Sequence, residues 1–172
     1  MAALVTTLPA MQLVCNLVFV GNGTNSALPL PGAPIKTSVL PEGYIAYPEI
    51  GVAYKVHDEI VSWFVAKEKC SRDGGNLAVI DSLQKLAFVK AQRKSRDLTH
   101  VGINRIEGIN GWLSAKTGLP LSNIPWAPGE PNGSGNCVEI KREENGLGAY
   151  LCISPGDYVC EIPIPENYIA HF

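Results

Sequence analysis

The sequence lacks an excess of charge of either sign and lacks a long apolar run. Its 172 residues carry 14 basic and 16 acidic side chains, for a formal net charge of −2. Such a balance provides no positive field to attract nucleic acid or an anionic membrane surface. The most apolar run, 13–20, is shorter than the roughly 18 residues of a membrane-spanning helix. We therefore expect neither a nucleic-acid partner nor a transmembrane anchor.

The sequence also lacks the spacing of histidines and carboxylates that catalytic sites require. His57, His100 and His171 have no second histidine four residues away and no nucleophile motif beside them. No pair of carboxylates stands out as suited to hydrolysing a glycoside. The sequence therefore predicts that the protein is not an enzyme.

What the chain does contain is an ordinary globular composition and five cysteines. It is 46% hydrophobic and 17% charged, which favours one domain with a buried core. Cys15 lies in the apolar run near the N-terminus, and small residues follow that run, so that 1–26 is predicted to be a secretory signal peptide. The other four cysteines suit two disulfides in an extracellular compartment, with three pairings left open: Cys70, Cys137, Cys152 and Cys160.

The rest of the chain divides into an arm, a domain and a tail. Residues 27–43 contain four prolines and are predicted to be an extended arm, 44–164 the folded domain, and 165–172 a C-terminal tail. Within the domain, Ser62 can cap a first helix that buries Trp63, Ala66 and Cys70 and ends near Gly74.

A second helix follows, capped by Asp81 or Ser82 and continuing toward Arg93, with an expected inner face of Leu83, Leu86, Ala87 and the stem of Lys90. Short apolar stretches between turn residues predict strands within 44–57 and at 77–80, 101–103, 112–113, 138–141, 149–153 and 158–162. The turn-rich stretch 120–135 is irregular, which is typical of a functional loop.

The order of these motifs resembles that of the C-type lectin domain over 44–162. The motifs are the helix with Cys70, the segment GGNLAVI at 74–80, HVGIN at 100–104, WAPGEPN at 126–132, and the last three cysteines. The resemblance implies an α+β fold of two helices, two small antiparallel sheets and a long irregular loop region. It also implies the disulfides Cys70–Cys160 and Cys137–Cys152. The lead-in 43–57 is similar to that of insect haemolymph lipopolysaccharide-binding proteins.

The resemblance further implies that Glu130 and Asn132 contact both a sugar and a calcium ion, with a cis bond before Pro131. Calcium takes about six to eight oxygen ligands. The family's Trp-Asn-Asp segment before the third core cysteine is replaced here by GLGAYL at 146–151, and Gly135-Asn136 provides no acidic ligand before Cys137. We therefore expect an incomplete calcium site and no firmly bound cofactor. Glu143, Glu144 and Asn145 could supply oxygens, although a solvated acidic turn is the commoner explanation.

Three further features bear on binding. Trp126 lies beside this motif and could stack on a sugar, whereas Trp63 and Trp112 are expected in the core. The basic side chains at the end of the second helix could pair with phosphates, but cations also favour any helix C-terminus: Lys90, Arg93, Lys94 and Arg96. Asn22 and Asn132 begin N-glycosylation acceptor motifs, and a glycan on Asn132 would cover the site.

The resemblance implies a secreted pattern-recognition lectin of innate immunity, released into a haemolymph-like fluid. Its expected partners are bacterial surface glycans such as lipopolysaccharide, bound with weak or no dependence on calcium. The alternative is a metal-independent protein-interaction module, because many members of the fold keep the scaffold after losing the metal.

Overall fold

The structure, a computed structural model, describes residues 39–94, 98–106, 111–141 and 145–168. The predicted signal peptide with Asn22, most of the arm and the end of the tail lie outside the described residues, as do Arg96, Glu143, Glu144 and His171. Among the described residues, no helix combines the length and the apolarity needed to span a membrane.

Two helices form where the capping and periodicity signals predict them. Helix α1, Trp63–Arg72, buries Trp63, Ala66 and Cys70 as predicted. Ser62 precedes it in extended conformation, but the predicted cap is wrong in one respect, because the Ser62 side chain makes no capping hydrogen bond. Helix α2, Leu83–Gln92, begins at Ser82, whose Oγ accepts a hydrogen bond from the amide of Lys85 at 3.2 Å. Of the two caps considered, Ser82 is therefore the one used, and Asp81 instead pairs with the Lys85 ammonium at 2.8 Å.

The buried face of α2 differs from the predicted one. Leu86 and Val89 are buried, whereas Leu83 and Ala87 are exposed. A short amphipathic helix buries only a narrow stripe of its surface against a sheet. Because Leu86 and Val89 form this stripe, Ala87 faces solvent.

Eight strands form one hydrogen-bonded network in the described part of the chain. The strands are β1 Ile45–Tyr47, β2 Val52–Val61, β3 Asn76–Leu77, β4 Thr99–Asn104, β5 Leu113–Ser114, β6 Cys137–Ile140, β7 Leu147–Tyr150 and β8 Gly156–Pro163. The main path runs β1-β2-β8-β4-β6-β7, while β3 pairs with β8 and β5 with β4. The two small sheets expected from the sequence are thus joined, because β8 pairs antiparallel with β2 and parallel with β4.

The core consists of two clusters. One packs α2 residues against β4 and β6, including Val89, Ile103 and Ile140. The other surrounds Trp63 of α1 and contains Cys70, Cys160 and Tyr158. Trp63 also joins α1 to the sheet, because its indole N–H donates to the carbonyl of Val101 at 2.8 Å.

Both disulfides have the pairing that the resemblance implied, Cys70–Cys160 and Cys137–Cys152. The first links α1 to β8 across a sequence separation of 90 residues. Closing a loop of that length stabilises the fold by about 4–5 kcal/mol in the chain-entropy account. The second joins the start of β6 to the residue two places beyond β7, and so fixes the edge strands beside the irregular loops.

Candidate functional site

The loop Glu130–Asn132 is fastened to the edge strand β7. The Glu130–Pro131 peptide bond is cis. Glu130 Oε2 accepts hydrogen bonds from the backbone amides of Asn132 at 2.9 Å and of Ala149 at 3.1 Å. Ser134 Oγ donates to the Ala149 carbonyl at 2.9 Å, and the amide of Ser134 donates to Asn132 Oδ1 at 2.9 Å. The loop therefore depends on Ala149 for its position.

The carboxylate of Glu130 is fully used by the protein. Its other oxygen, Oε1, accepts from Lys141 Nζ at 2.9 Å and from Asn132 Nδ2 at 3.1 Å. Four donors therefore occupy the roughly four lone-pair directions of a carboxylate. The Glu130 side chain is only 2% exposed. Burial alone would raise its pKa, but the hydrogen bonds from Lys141, Asn132 and Ala149 outweigh burial and lower the pKa of Glu130 below its usual value.

Lys141 lies where the opposite wall of a calcium cage would be. Gly148 and Ala149 stand in the segment that carries Asn and Asp in the family motif, and neither has a side-chain oxygen. A Cβ added at Gly148 would lie 2.8 Å from Lys141 Cε and 3.3 Å from Glu130 Oε1. The lysine side chain thus passes directly over Gly148, in space that a larger residue would require.

Among the described residues this arrangement does not fit a calcium ion. Calcium needs several oxygens and carboxylate charge, whereas both oxygens of Glu130 already accept hydrogen bonds and an ammonium lies 2.9 Å away. An ion would have to displace Lys141. Elsewhere in the described residues, one group of three potential ligands occurs, at His57, Asp73 and Cys160. The sulfur of Cys160 is already in a disulfide.

Glu139 is a second buried carboxyl group next to this pair. It lies opposite Gly148 in the β6–β7 register and two residues before Lys141, so that all three share one face of the sheet. The residue is 6% exposed. Burial raises its pKa to about 8; Lys141 opposes this rise, and the negative charge of Glu130 adds to it. Glu139 is therefore mostly uncharged at neutral pH.

Tyr150 is an exposed aromatic residue on the edge strand beside the loop, and sequence reasoning missed it. Tyr150 is 40% exposed and follows Gly148 on the same face of β7. Trp126 is only partly exposed, and its ring packs against Trp112 with ring centroids 5.0 Å apart. The strand alternation of β7 could have identified Tyr150 if the limits of β7 had been known.

The structure brings Glu130, Asn132 and Trp126 into one region, since the carbonyl of Leu147 in β7 accepts from the amide of Ala127 at 2.9 Å. Of the basic residues predicted at the end of α2, Lys90 places its Nζ 3.5 Å from Asn145 Oδ1, and Arg96 lies outside the described residues. Asn145 consequently provides its side-chain oxygen to Lys90.

An apolar groove of about 510 Å³ borders residues 133–136, which follow the loop. Its lining includes the exposed side chains of Phe64, Leu151 and Ile153 together with Gly133 and Asn136. Ile153 is the most exposed of these three side chains, at 76%.

Comparison with known proteins places this fold in a family. The model of the lectin C-type domain matches residues 59–162. C-type lectin 16 of Aedes aegypti is 32% identical over 117 residues, which cover 59% of this chain and 76% of that protein. Lymphocyte antigen 75 of Mus musculus is 29% identical over 121 residues; the match covers 67% of this chain but only 7% of that much longer protein.

A solved structure with the same fold is the C-type carbohydrate-recognition domain of cow CD23, determined in the presence of an oligosaccharide. Its TM-score is 0.65 at 23% identity, and the match covers 74% of this chain and 98% of that one. At this identity the likeness concerns the fold alone. The match to the domain model, in contrast, extends over more than half of the sequence and includes both disulfides. This chain therefore belongs to the C-type lectin domain family.

Proposed function

We propose that the protein is a secreted lectin that binds bacterial surface glycans, such as lipopolysaccharide, without requiring calcium. The observation that carries this proposal is the carboxylate of Glu130, which accepts from four protein donors without an ion: two belong to Asn132 of the same loop, and Lys141 and Ala149 tie the loop to the neighbouring strands. The CD23 domain of the same fold was solved with an oligosaccharide present, and an insect C-type lectin is among the relatives. Both support a carbohydrate ligand and an extracellular setting.

In this proposal the loop residues have different tasks. Glu130, whose oxygens are already occupied, anchors the loop. Asn132 is exposed and directs its amide toward ligand hydroxyl groups, since Nδ2 uses one hydrogen on Glu130 and carries a second. Tyr150 offers an exposed ring for stacking on the apolar face of a sugar. Trp126 is a further stacking candidate, less exposed than Tyr150.

The test is binding of the purified, unglycosylated protein to immobilised lipopolysaccharide and mannan, measured with and without EDTA. We expect equal binding in both conditions. Asn132→Ala should weaken binding about five- to tenfold, the effect of losing about 1 kcal/mol of hydrogen bonding. Asn123→Ala, which removes an exposed asparagine from a different loop, is the matched control and should bind normally. Absence of binding with and without EDTA would refute the proposal.

A second candidate function is a metal-independent protein-interaction module. The apolar groove at Phe64, Leu151 and Ile153 favours it, because clustered exposed apolar side chains are typical of interaction surfaces. Pull-down from an extracellular fluid separates the two functions. A stoichiometric protein that competing sugar does not release supports the module, and elution by sugar supports the lectin.

A further inference from the structure

The Glu130–Lys141 pair joins two charges in a confined place. Lys141 Nζ lies 2.9 Å from Oε1 of a carboxylate that is 2% exposed. A carboxylate so withdrawn from water requires a compensating cation or several donors. Calcium-dependent members of the fold place a metal ion against the equivalent glutamate. In this chain the ammonium group of a lysine side chain lies at the same carboxylate.

The surroundings of Lys141 are adapted to its side chain. Residue 148 has no side chain, and the added Cβ there would come within 2.8 Å of Lys141 Cε and 3.0 Å of Cγ. An asparagine at this position, as in the family motif, would require the lysine side chain to move from its observed path. The replacement of Asn by Gly148 and the presence of Lys141 therefore form one arrangement: a wall without oxygen ligands, and a cation that occupies the space made free.

Charge balance around the pair points the same way. Glu139, opposite Gly148 on the same face, is kept mostly uncharged by its burial. Arg93 and Lys141 are the cations that act on Glu139. With Glu139 protonated, Glu130 is the ionised carboxylate that faces Lys141. One ammonium group is then sufficient to balance its charge, whereas two ionised carboxylates would attract a divalent ion.

We propose that Lys141 is the resident cation of this site: its ammonium group replaces the metal ion and holds Glu130, and through Glu130 the backbone amides of Asn132 and Ala149, in the binding geometry. Lys141 is then a positioning residue, and the loop is permanently assembled. This inference deepens the proposed function, but its test uses no glycan, so that the two can fail separately.

The test is a double-mutant cycle between Lys141→Met and Glu130→Gln, with urea unfolding measured in EDTA. We expect each single variant to raise the unfolding equilibrium constant. The constant of the double variant should be about tenfold lower than the product of the two single-variant effects predicts. The double variant contains no unpaired charge and should fold even if Lys141→Met does not. Lys141→Arg keeps the charge and should restore most of the stability. Additive effects of the two substitutions would overturn the proposal.

Two further readouts separate positioning from general stability. In ¹H–¹⁵N spectra, Lys141→Met should shift the amide signals of Asn132 and Ala149. The matched control is Lys116→Met, since Lys116 forms a similar 2.9 Å pair with the buried Glu161; it should leave both signals in place. Calorimetric titration of the unmodified protein with calcium should give no binding up to millimolar concentrations. Calcium binding that Glu130→Gln abolishes would overturn the proposal.

Discussion

Replacing the buried Glu139 by glutamine should change how stability depends on pH. The pKa of Glu139 is raised to about 8 in the folded protein, mainly by burial, from a usual value of 4.5. Between these two values the folded state holds a proton that the unfolded state has released. The contribution of Glu139 to folding stability is therefore fully present below about pH 4.5 and falls as the pH rises toward 8. Glutamine does not titrate, so Glu139→Gln removes this loss.

The magnitude follows from the size of the pKa shift. Each pH unit between the two pKa values changes stability by at most about 1.4 kcal/mol. From pH 5 to pH 7, the stability of Glu139→Gln should therefore rise relative to the unmodified protein by about 2–3 kcal/mol. Other groups titrate in both proteins and cancel in the difference. A difference in the free energy of unfolding that does not change with pH reflects only how well the glutamine amide packs.

Urea unfolding at half-unit intervals from pH 4.5 to pH 8, followed by tryptophan fluorescence, measures this difference. Glu68→Gln is a suitable control, because Glu68 is an exposed residue on α1 that pairs with Arg72; its curve should run nearly parallel to that of the unmodified protein. If the curve of Glu139→Gln also runs parallel, Glu139 is ionised in the folded state at neutral pH, and the charge balance argued for the Lys141 site is wrong.

Three other outcomes are expected. Gly102→Ala should destabilise the fold by about 3 kcal/mol or more in urea unfolding, because the added Cβ would lie 2.0 Å from the carbonyl oxygen of Leu77. Gly118→Ser should cost less, because there the added Cβ meets no atom and only the positive φ of 69° opposes the substitution. Tyr150→Ala should weaken binding to lipopolysaccharide several-fold while leaving the urea midpoint nearly unchanged, as expected for an exposed stacking ring. Intact-mass measurement of protein secreted from a eukaryotic host, before and after glycosidase, should show Asn132 unmodified, and full occupancy would contradict a ligand contact there.

Much of the fold could be predicted, because its signals are either local in the sequence or contained in the order of the family motifs. Ser82 and the spacing of Trp63, Ala66 and Cys70 define the helices through capping and periodicity. The disulfide pairing came from the resemblance, since four cysteines alone allow three pairings. The limits of β7 were predicted too late in the chain, at 149–153 instead of Leu147–Tyr150. A turn begins there, in which the amide of Ser154 donates to the carbonyl of Leu151.

The parts of the site that sequence reasoning missed all depend on strand register. Lys141 and Glu139 meet Glu130 because β6 pairs with β7 so that Glu139 lies opposite Gly148. A shift of one residue would turn these side chains to the other face of the sheet. The missing Asn and Asp of the family motif were visible in the sequence, but the residue that compensates for them belongs to another strand. Its identification requires the pairing.

The register also explains why loss of the metal ligands leaves an ordered loop. Removing Asn and Asp from positions 148 and 149 without another change would leave Glu130 buried and without a counter-charge, which is strongly destabilising. Lys141 offsets that cost from the neighbouring strand, and the glycine at position 148 leaves the path of its side chain to Oε1 open. The backbone amide of Ala149 still donates to Glu130, as an amide can with any side chain at that position. The loop is therefore ordered without a metal, and in the proposed function the exposed groups around Asn132 and Tyr150 are the ones that contact the ligand.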